Sequence, residues 1–360
     1  MDRATDPGPG LPAVLRHAPS VDAAVHEAAS ALALELEGID AALAPVASML
    51  VDAADGGKRL RGALVRWAYA AHGGGDPDDV TGAAVAVELV HLSALVHDDV
   101  IDRSDLRRGR PSVHARAAAD HPEPGTGAAD DHGRAVAVLL GDALLAAAAR
   151  PLMTSRVAPA ALAAGHEAFV RLQVEVMAGQ YLDVDAASRR SADTSRALTI
   201  ATLKSGRYSV ARPLELGALL AGVAPGDTGP LLAVGDALGV AFQLRDDLLG
   251  VFGDPDVTGK PAGADLVEGK RTLLVAETLA RLSGDERAAF DAALGSAGLG
   301  AAGVAALVAT IETSGARAAV EARIDAVASQ ATGGIAALPI SSEQREELAE
   351  LAGWMTTRHH

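Results

Sequence analysis

Two pairs of adjacent aspartates close strongly apolar runs: Asp98-Asp99 at the end of 85–101 and Asp246-Asp247 at the end of 231–249. Helical spacing places Asp102 on the face of Asp98, with Asp99 flanking them. Unpaired carboxylates buried in such helices cost several kcal/mol, so something cationic must accompany them. All-oxygen donors suit a hard divalent ion, and Mg²⁺ commonly takes one or two carboxylates and completes its shell with substrate phosphates. Asp78-Asp79 and Asp130-Asp131 are a control within the chain. They lie in polar, Gly- and Pro-rich surroundings, where a helix cap or a solvated loop accounts for them.

The basic residues point to the same chemistry. The chain has 27 arginines and only 4 lysines. Every lysine falls in a small polar cluster: Gly57-Lys58-Arg59-Leu60-Arg61, Lys204-Ser205-Gly206, Gly259-Lys260-Pro261 and Gly269-Lys270-Arg271-Thr272. Lysine is a compact point charge that meets phosphate where the planar arginine fork does not fit. The tract Arg107-Arg108-Gly109-Arg110 follows the first aspartates directly. Carboxylates beside concentrated Lys and Arg mark a site for a polyanion held through bridging metal.

These residues need rigid carriers, and the composition supplies helices. About a fifth of the 360 residues are alanine, aromatics are 2%, and strand-type runs are almost absent. Apolar residues recur at helical spacing over about 21–50, 59–73, 78–102, 134–149, 159–184, 192–222 (broken before Pro213), 229–252, 272–294, 301–314, 316–331 and 342–357. Two long polar segments, 103–133 and 253–271, interrupt the pattern and read as functional lids or disordered loops. No linker or repeat divides the chain, so the expectation is one all-α domain over 21–358 after a flexible tail, 1–20. With 31 basic against 47 acidic side chains the net charge is −16, which argues against a nucleic-acid partner. The absence of cysteine excludes disulfides and zinc–cysteine sites and is compatible with a cytoplasmic protein. The longest uncharged stretch, 292–311, is rich in Ala and Gly; a helix end, a loop and a new helix explain it better than a membrane span.

In order along the chain, these residues match a family. Glu88-x-x-His91 leads into Asp98-Asp99-x-x-Asp102 and then Arg107-Arg108-Gly109-x-Pro111-Ser112-x-His114, with Gly57-Lys58-Arg59-Leu60-Arg61 upstream and Leu140-Gly141-Asp142 downstream. Gly179-Gln180-x-x-Asp183, Lys204-Ser205, Phe242-Gln243-x-x-Asp246-Asp247, Gly259-Lys260 and Asp265-Leu266-x-x-Gly269-Lys270 follow. The set resembles the trans-isoprenyl diphosphate synthases, the polyprenyl synthetase family, of the geranylgeranyl diphosphate synthase type. It covers roughly 50–275 and departs from the family at three points. Gly62 replaces a usual proline and reads as a loop detail; Ser205 replaces threonine and keeps the hydroxyl; Gly250 stands at the third aspartate position of the second cluster.

The resemblance implies an isoprenoid synthase-type helical bundle around a central active-site cavity, a homodimer, and head-to-tail condensation of isopentenyl diphosphate with an allylic diphosphate. It implies three Mg²⁺ ions per active site, held by Asp98, Asp102 and Asp246, with Asp99 and Asp247 among the catalytic residues. Arg107, Lys204 and Lys260 neutralise the allylic diphosphate, supported by Ser205, Gln243 and Lys270. Lys58, Arg61, His91 and Arg108 bind isopentenyl diphosphate, and the released pyrophosphate accepts the proton. Alone, His91 reads as an ordinary packed helix residue, and so does His97; Gln180 and Asp183 read as supporting residues or a plain polar helix face. Ser93 and Ala94, read as facing the side of Asp98, are small where the family's aromatics stop growth at C15. Leu89 and Val90 form a deeper floor, so a C20 product is expected, with C15 or C25 and longer as alternatives. A class I terpene cyclase is the enzymatic rival, but the common form of its second metal motif needs asparagine and this chain has none. A non-catalytic partner subunit of a heteromeric synthase typically loses aspartates or diphosphate ligands, and here nearly all remain.

Overall fold

The computed structural model describes residues 11–121, 127–254 and 262–357, and its elements are all helical apart from one minimal hairpin. Two compact units result: Met1–His166 with Leu216–Val223, and Glu167–Glu215 with Ala224–His360.

In the first unit, α1 (Ala18–Ile39), α2 (Ala44–Ala53), α3 (Leu60–Ala71), α4 (Thr81–Ile101), a hairpin (β1 Leu106–Arg107, β2 Arg110–Pro111), α5 (Val113–Ala119) and α6 (Ala129–Leu152) follow in order. Helix α4 packs against α1, α3, α5 and α6, so it is apolar almost all round. The expected helix over 21–50 is interrupted at Asp40, whose carboxylate accepts from the Ala42 N–H at 2.8 Å, with Pro45 opening α2. The segment 103–133, read as polar and irregular, holds the hairpin, α5 and the start of α6.

Residues 11–20, read from the sequence as tail, carry a helical turn, Ala13–His17, with Val14 and Leu15 buried. His17 is held by burial, and by the nearby Arg66 and Arg16 charges, at a pKa of about 4 against an ordinary 6.5. The fold therefore favours neutral His17. Its contribution is complete above pH 6.5 and lost as pH falls toward 4, to the extent of about 2–3 kcal/mol. Urea midpoints of wild type and His17→Gln should converge over that window; parallel curves would contradict the assignment.

The second unit holds α7 from residue 167 onward (Pro159–Ser188), α8 (Thr194–Ile200), a π-wound stretch (Ala201–Ala211) and the start of α9 (Arg212–Leu220). Then come α10 (Gly229–Phe252), α11 (Ala264–Glu268), α12 (Leu273–Arg281), α13 (Gly284–Ala293), α14 (Ala301–Ser314), α15 (Ala316–Ala336) and α16 (Ser342–Thr357). Helix α10 is the centre, packed against the π-wound stretch, α11, α12, α15 and α16. Its Leu244, Leu248 and Val251 join Leu266, Leu274, Phe290, Ile311 and Ile324 in one core.

Two expectations change here. The chain does not break before Pro213; it rewinds to π spacing over 201–211 and continues into α9 at Arg212, whose N–H donates to the Arg207 carbonyl. The expected 272–294 helix divides because Leu282 is extended and α13 begins after it. The stretch 292–311 is, as expected, a helix end, a loop and a new helix. Among the described residues, Pro77–Ile101 and Ala129–Leu152 are long and apolar enough to cross a membrane by length and composition, and the first is mostly buried within the protein.

Candidate active site

The first cluster grows from the end of α4. Asp98 and Asp102, one turn apart, are half-buried, while Asp99 is buried at 3% exposure. Three carboxylates at a helix C-terminus oppose the partial negative charge of that end, so the arrangement favours a cation. Asp99 faces Arg107, whose Nε donates to Oδ1 at 2.9 Å and whose Nη2 donates to the same oxygen. Burial pushes the Asp99 carboxyl up and outweighs Arg107, which pulls it down. Burial opposes the Arg107 charge too, but the hydrogen bond to Asp99 and the charges of Asp99, Asp98 and Asp102 hold its pKa high.

Next to this lies a concentration of positive charge. Burial, then the charges of Arg61, Arg108, Arg59 and Arg107 in that order, hold His91 neutral, its pKa far below the ordinary value. Arg59, which the sequence reading assigned no role, is buried with a left-handed φ of 47°. It is clamped by Asp22 at 2.7 Å, by the Ala54 carbonyl and by Glu88 at 3.8 Å. That clamp sets the direction in which exposed Lys58 and half-buried Arg61 leave the chain. Arg108 donates to the Asp55 carbonyl at 2.5 Å. A cavity of about 550 Å³ combines an apolar wall, Leu92, Leu95 and Val96, with Asp99, Arg107 and Arg108.

Gly62, read as a loop detail, is a buried residue inside α3. Its N–H donates to Glu88 Oε1 at 3.0 Å, a bond proline cannot make, and a Cβ there would stand 2.6 Å from Val21. The gate reading also needs correction. At about 100° per residue, Ala94 lies within about 40° of Asp98, but Ser93 is turned about 140° away. Leu89 lies nearly opposite Asp98 and Val90 about 80° from it. Ser93, Leu89 and Val90 are each 2% exposed, and of the four residues Ala94 lies nearest the face of Asp98. His97 contacts the Val138 carbonyl at 3.2 Å and lies 3.6 Å from Asp142, a packing role as read.

The second cluster is carried by α10. Asp246 is half-buried; Asp247 is buried and accepts from Gln243 Nε2 at 2.6 Å. Burial, then the Asp265 carboxylate, pushes Asp247 up to about 8. Lys204 and half-buried Ser205 sit in the π-wound stretch, a winding that often marks functional sites. Lys204 Nζ meets Asp183 Oδ2 at 2.8 Å. Gly179 permits the two segments to approach, since a Cβ there would lie 2.5 Å from the Lys204 backbone nitrogen. Lys270 pairs with Glu268 at 2.7 Å and Asp265 at 3.4 Å. Lys260 lies outside the described residues.

Asp78-Asp79 and Asp130-Asp131 occupy first turns of helical segments, where acids are ordinary, whereas the two candidate pairs lie near helix C-termini. Among the described residues no three acidic or histidine side chains converge as a ready-made metal cage. The all-oxygen carboxylates of Asp98 and Asp102 suit Mg²⁺, which takes one or two carboxylates and leaves its other positions to water and phosphate oxygens.

A family model described as polyprenyl synthetase matches residues 43–311. A short chain isoprenyl diphosphate synthase of Methanothermobacter thermautotrophicus is 33% identical over 67% of this chain and 69% of its own length. A (2E,6E)-farnesyl diphosphate synthase of Mycobacterium tuberculosis is 40% identical over 62% of this chain, a match spanning 57% of that relative's length. The structure of geranylgeranyl pyrophosphate synthase from Corynebacterium glutamicum, complexed with isoprenyl diphosphate and magnesium, superimposes with a TM-score of 0.87 at 35% identity, covering 95% of this chain and 99% of that one.

Proposed function

Because the chain belongs to the polyprenyl synthetase family, we propose that it is a magnesium-dependent prenyltransferase joining isopentenyl diphosphate to an allylic diphosphate, head to tail, with an all-trans C20 diphosphate as product. The observation that carries this reading is the cavity in which Leu92, Leu95 and Val96 face Asp99, Arg107 and Arg108, at the end of the apolar helix that closes in Asp98-Asp99-x-x-Asp102. In this reading Asp98, Asp102 and Asp246 hold Mg²⁺, which when bound supplies Lewis-acid stabilisation of the departing diphosphate. Asp99 aims Arg107 at the allylic diphosphate oxygens. Lys204, oriented by Asp183, and Lys260 add charge, with Ser205, Gln243 and Lys270 in support. Lys58, Arg61 and Arg108 neutralise the diphosphate of isopentenyl diphosphate. Neutral His91 adds a hydrogen bond without a further charge.

A homodimer is supported by an apolar stripe on α7. Val170, Val174, Met177, Tyr181 and Val184 recur at spacings of 4 and 3 and are all exposed. Light scattering should return the mass of a dimer.

The functional test is incubation with Mg²⁺, isopentenyl diphosphate and, separately, C5, C10 and C15 allylic primers, followed by sizing of the dephosphorylated alcohols. A C20 alcohol is expected. Ala94→Phe should shorten it to C15, and Ser93→Phe should act less specifically because its side chain leaves the helix on another side. A cyclic hydrocarbon would favour a cyclase instead, and no turnover by folded protein would favour a silent subunit.

A further inference from the structure

His26 stands on α1, upstream of the stretch that the family model matches, and the proposed reaction gives it no role. Its two ring nitrogens meet oxygens that only accept. Nδ1 lies 2.9 Å from the Asp22 carbonyl, and Nε2 lies 3.0 Å from Asp55 Oδ1. Neutral imidazole carries one N–H and satisfies one of these, whereas the imidazolium donates to both. The Asp22 carbonyl, then the Asp55 carboxylate, raise the His26 pKa above its ordinary 6.5, against burial and the Arg59 charge. Asp55 is held below the usual carboxylate range by His26 and then by Arg110. Three segments meet at Asp55, which lies between α2 and α3. Its Oδ1 faces His26 of α1, its Oδ2 accepts from Arg110 Nη1 of the hairpin at 2.9 Å, and its carbonyl accepts from Arg108 Nη1. The Arg108 guanidinium also lies along the next residues. A Cβ on Gly57, whose φ is 103°, would stand 2.8 Å from Arg108 Nη2.

We infer that His26, in its protonated form, is a positioning residue for isopentenyl diphosphate: it fixes Asp55, and through Asp55 the Arg108 guanidinium that meets the diphosphate. The inference rests on the role given to Arg108 above and extends it to two residues outside that set. Loss of the proton withdraws one donor from Asp55 and one positive charge from behind the anion site. Arg110 alone then holds the carboxylate, and the carbonyl that anchors Arg108 is less firmly placed. The charged groups around His26 are Asp22 of its own helix and Asp55 and Arg59 of the segment between α2 and α3. One contact further are Arg110 of the hairpin, on Asp55, and Glu88 of α4, on Arg59. The two neighbouring carboxylates favour the imidazolium, so affinity for isopentenyl diphosphate is highest below the His26 pKa and falls as pH rises through it.

The test is calorimetric titration of the full chain with isopentenyl diphosphate, with Mg²⁺ present and no allylic primer, so that binding is read without turnover. Wild type and His26→Gln are compared at about pH 6 and about pH 9, on either side of a raised histidine pKa. The ratio of their dissociation constants cancels the titration of the diphosphate itself. His26→Gln should bind about threefold to tenfold more weakly near the lower pH and as tightly as wild type near the higher one, with an unchanged helical circular dichroism spectrum. Asp55→Asn keeps the carbonyl that Arg108 uses, and in that background His26→Gln should have no further effect. A merely structural histidine would give the same ratio at both pH values. That result, equal affinities at the lower pH, or a full His26→Gln effect persisting in Asp55→Asn overturns the inference and leaves the proposed reaction intact. Folded wild-type protein that binds no isopentenyl diphosphate at either pH overturns both.

Discussion

Asp98→Asn is expected to lower kcat by about a thousandfold, equivalent to roughly 4 kcal/mol of lost transition-state stabilisation, without lowering the thermal midpoint. The side chain is half-buried at a helix C-terminus, where removing a negative charge relieves repulsion from Asp102 and from the helix end. Asp99→Ala should behave in the opposite sense. Asp99 is buried and accepts two hydrogen bonds from Arg107, so its loss should cost about 1.5–3 kcal/mol of stability, with activity falling because Arg107 loses its direction. Thermal melts and steady-state rates on the same preparations separate the two. Equal losses of stability in both variants would contradict the division of roles.

The second large effect concerns stability. Arg212 donates to Glu175 from Nε at 2.8 Å and from Nη2 at 2.6 Å, and to Glu215 from Nη1 at 2.5 Å. Arg207 also donates to Glu175, at 3.2 Å, and its Nε donates to Asp236 at 3.1 Å. Burial raises the cost of the Glu175 charge, but Arg212 and then Arg207 hold its pKa below the ordinary value. Arg212→Met leaves buried Glu215 with no cationic partner among these residues and Glu175 with Arg207 alone. Removing one member of such a buried network costs about 3–5 kcal/mol, read as a lower urea midpoint. Replacing Glu215 by Gln in the same chain should return part of the loss, because one stranded charge is gone. Arg207 lies within the π-wound stretch and Arg212 immediately follows it, so the network also pins the segment that presents Lys204. A fall in activity at temperatures where the variant remains folded is the corresponding functional readout.

Much of the site was readable before any coordinates. The spacing of apolar residues located α4 and α10, and paired acids within apolar runs stand out because a buried charge needs a reason. The family pattern of lysines and arginines then supplied the phosphate chemistry. What the sequence alone determined was therefore local: which helices exist, that they are amphipathic or fully buried, and which acids end them.

Tertiary structure decided the pairings. Lys204 meets Asp183 21 residues away, Arg212 meets Glu175 37 residues away, and Asp265 covers Gly250. None of these contacts follows a helical period, because each depends on which helices lie side by side and at what register. Gly62 read as a loop residue because its partner, Glu88, is on another helix. Ser93 was assigned to the aspartate face although five residues is not a whole number of turns. The winding of 201–211 left no local signature either, since the pairings on both sides of it select the π spacing as much as its own residues do. Chemistry could be read from composition and spacing because burial penalties act on each residue type wherever it lies. Geometry could not, because it is set by close packing between segments that are distant in the chain.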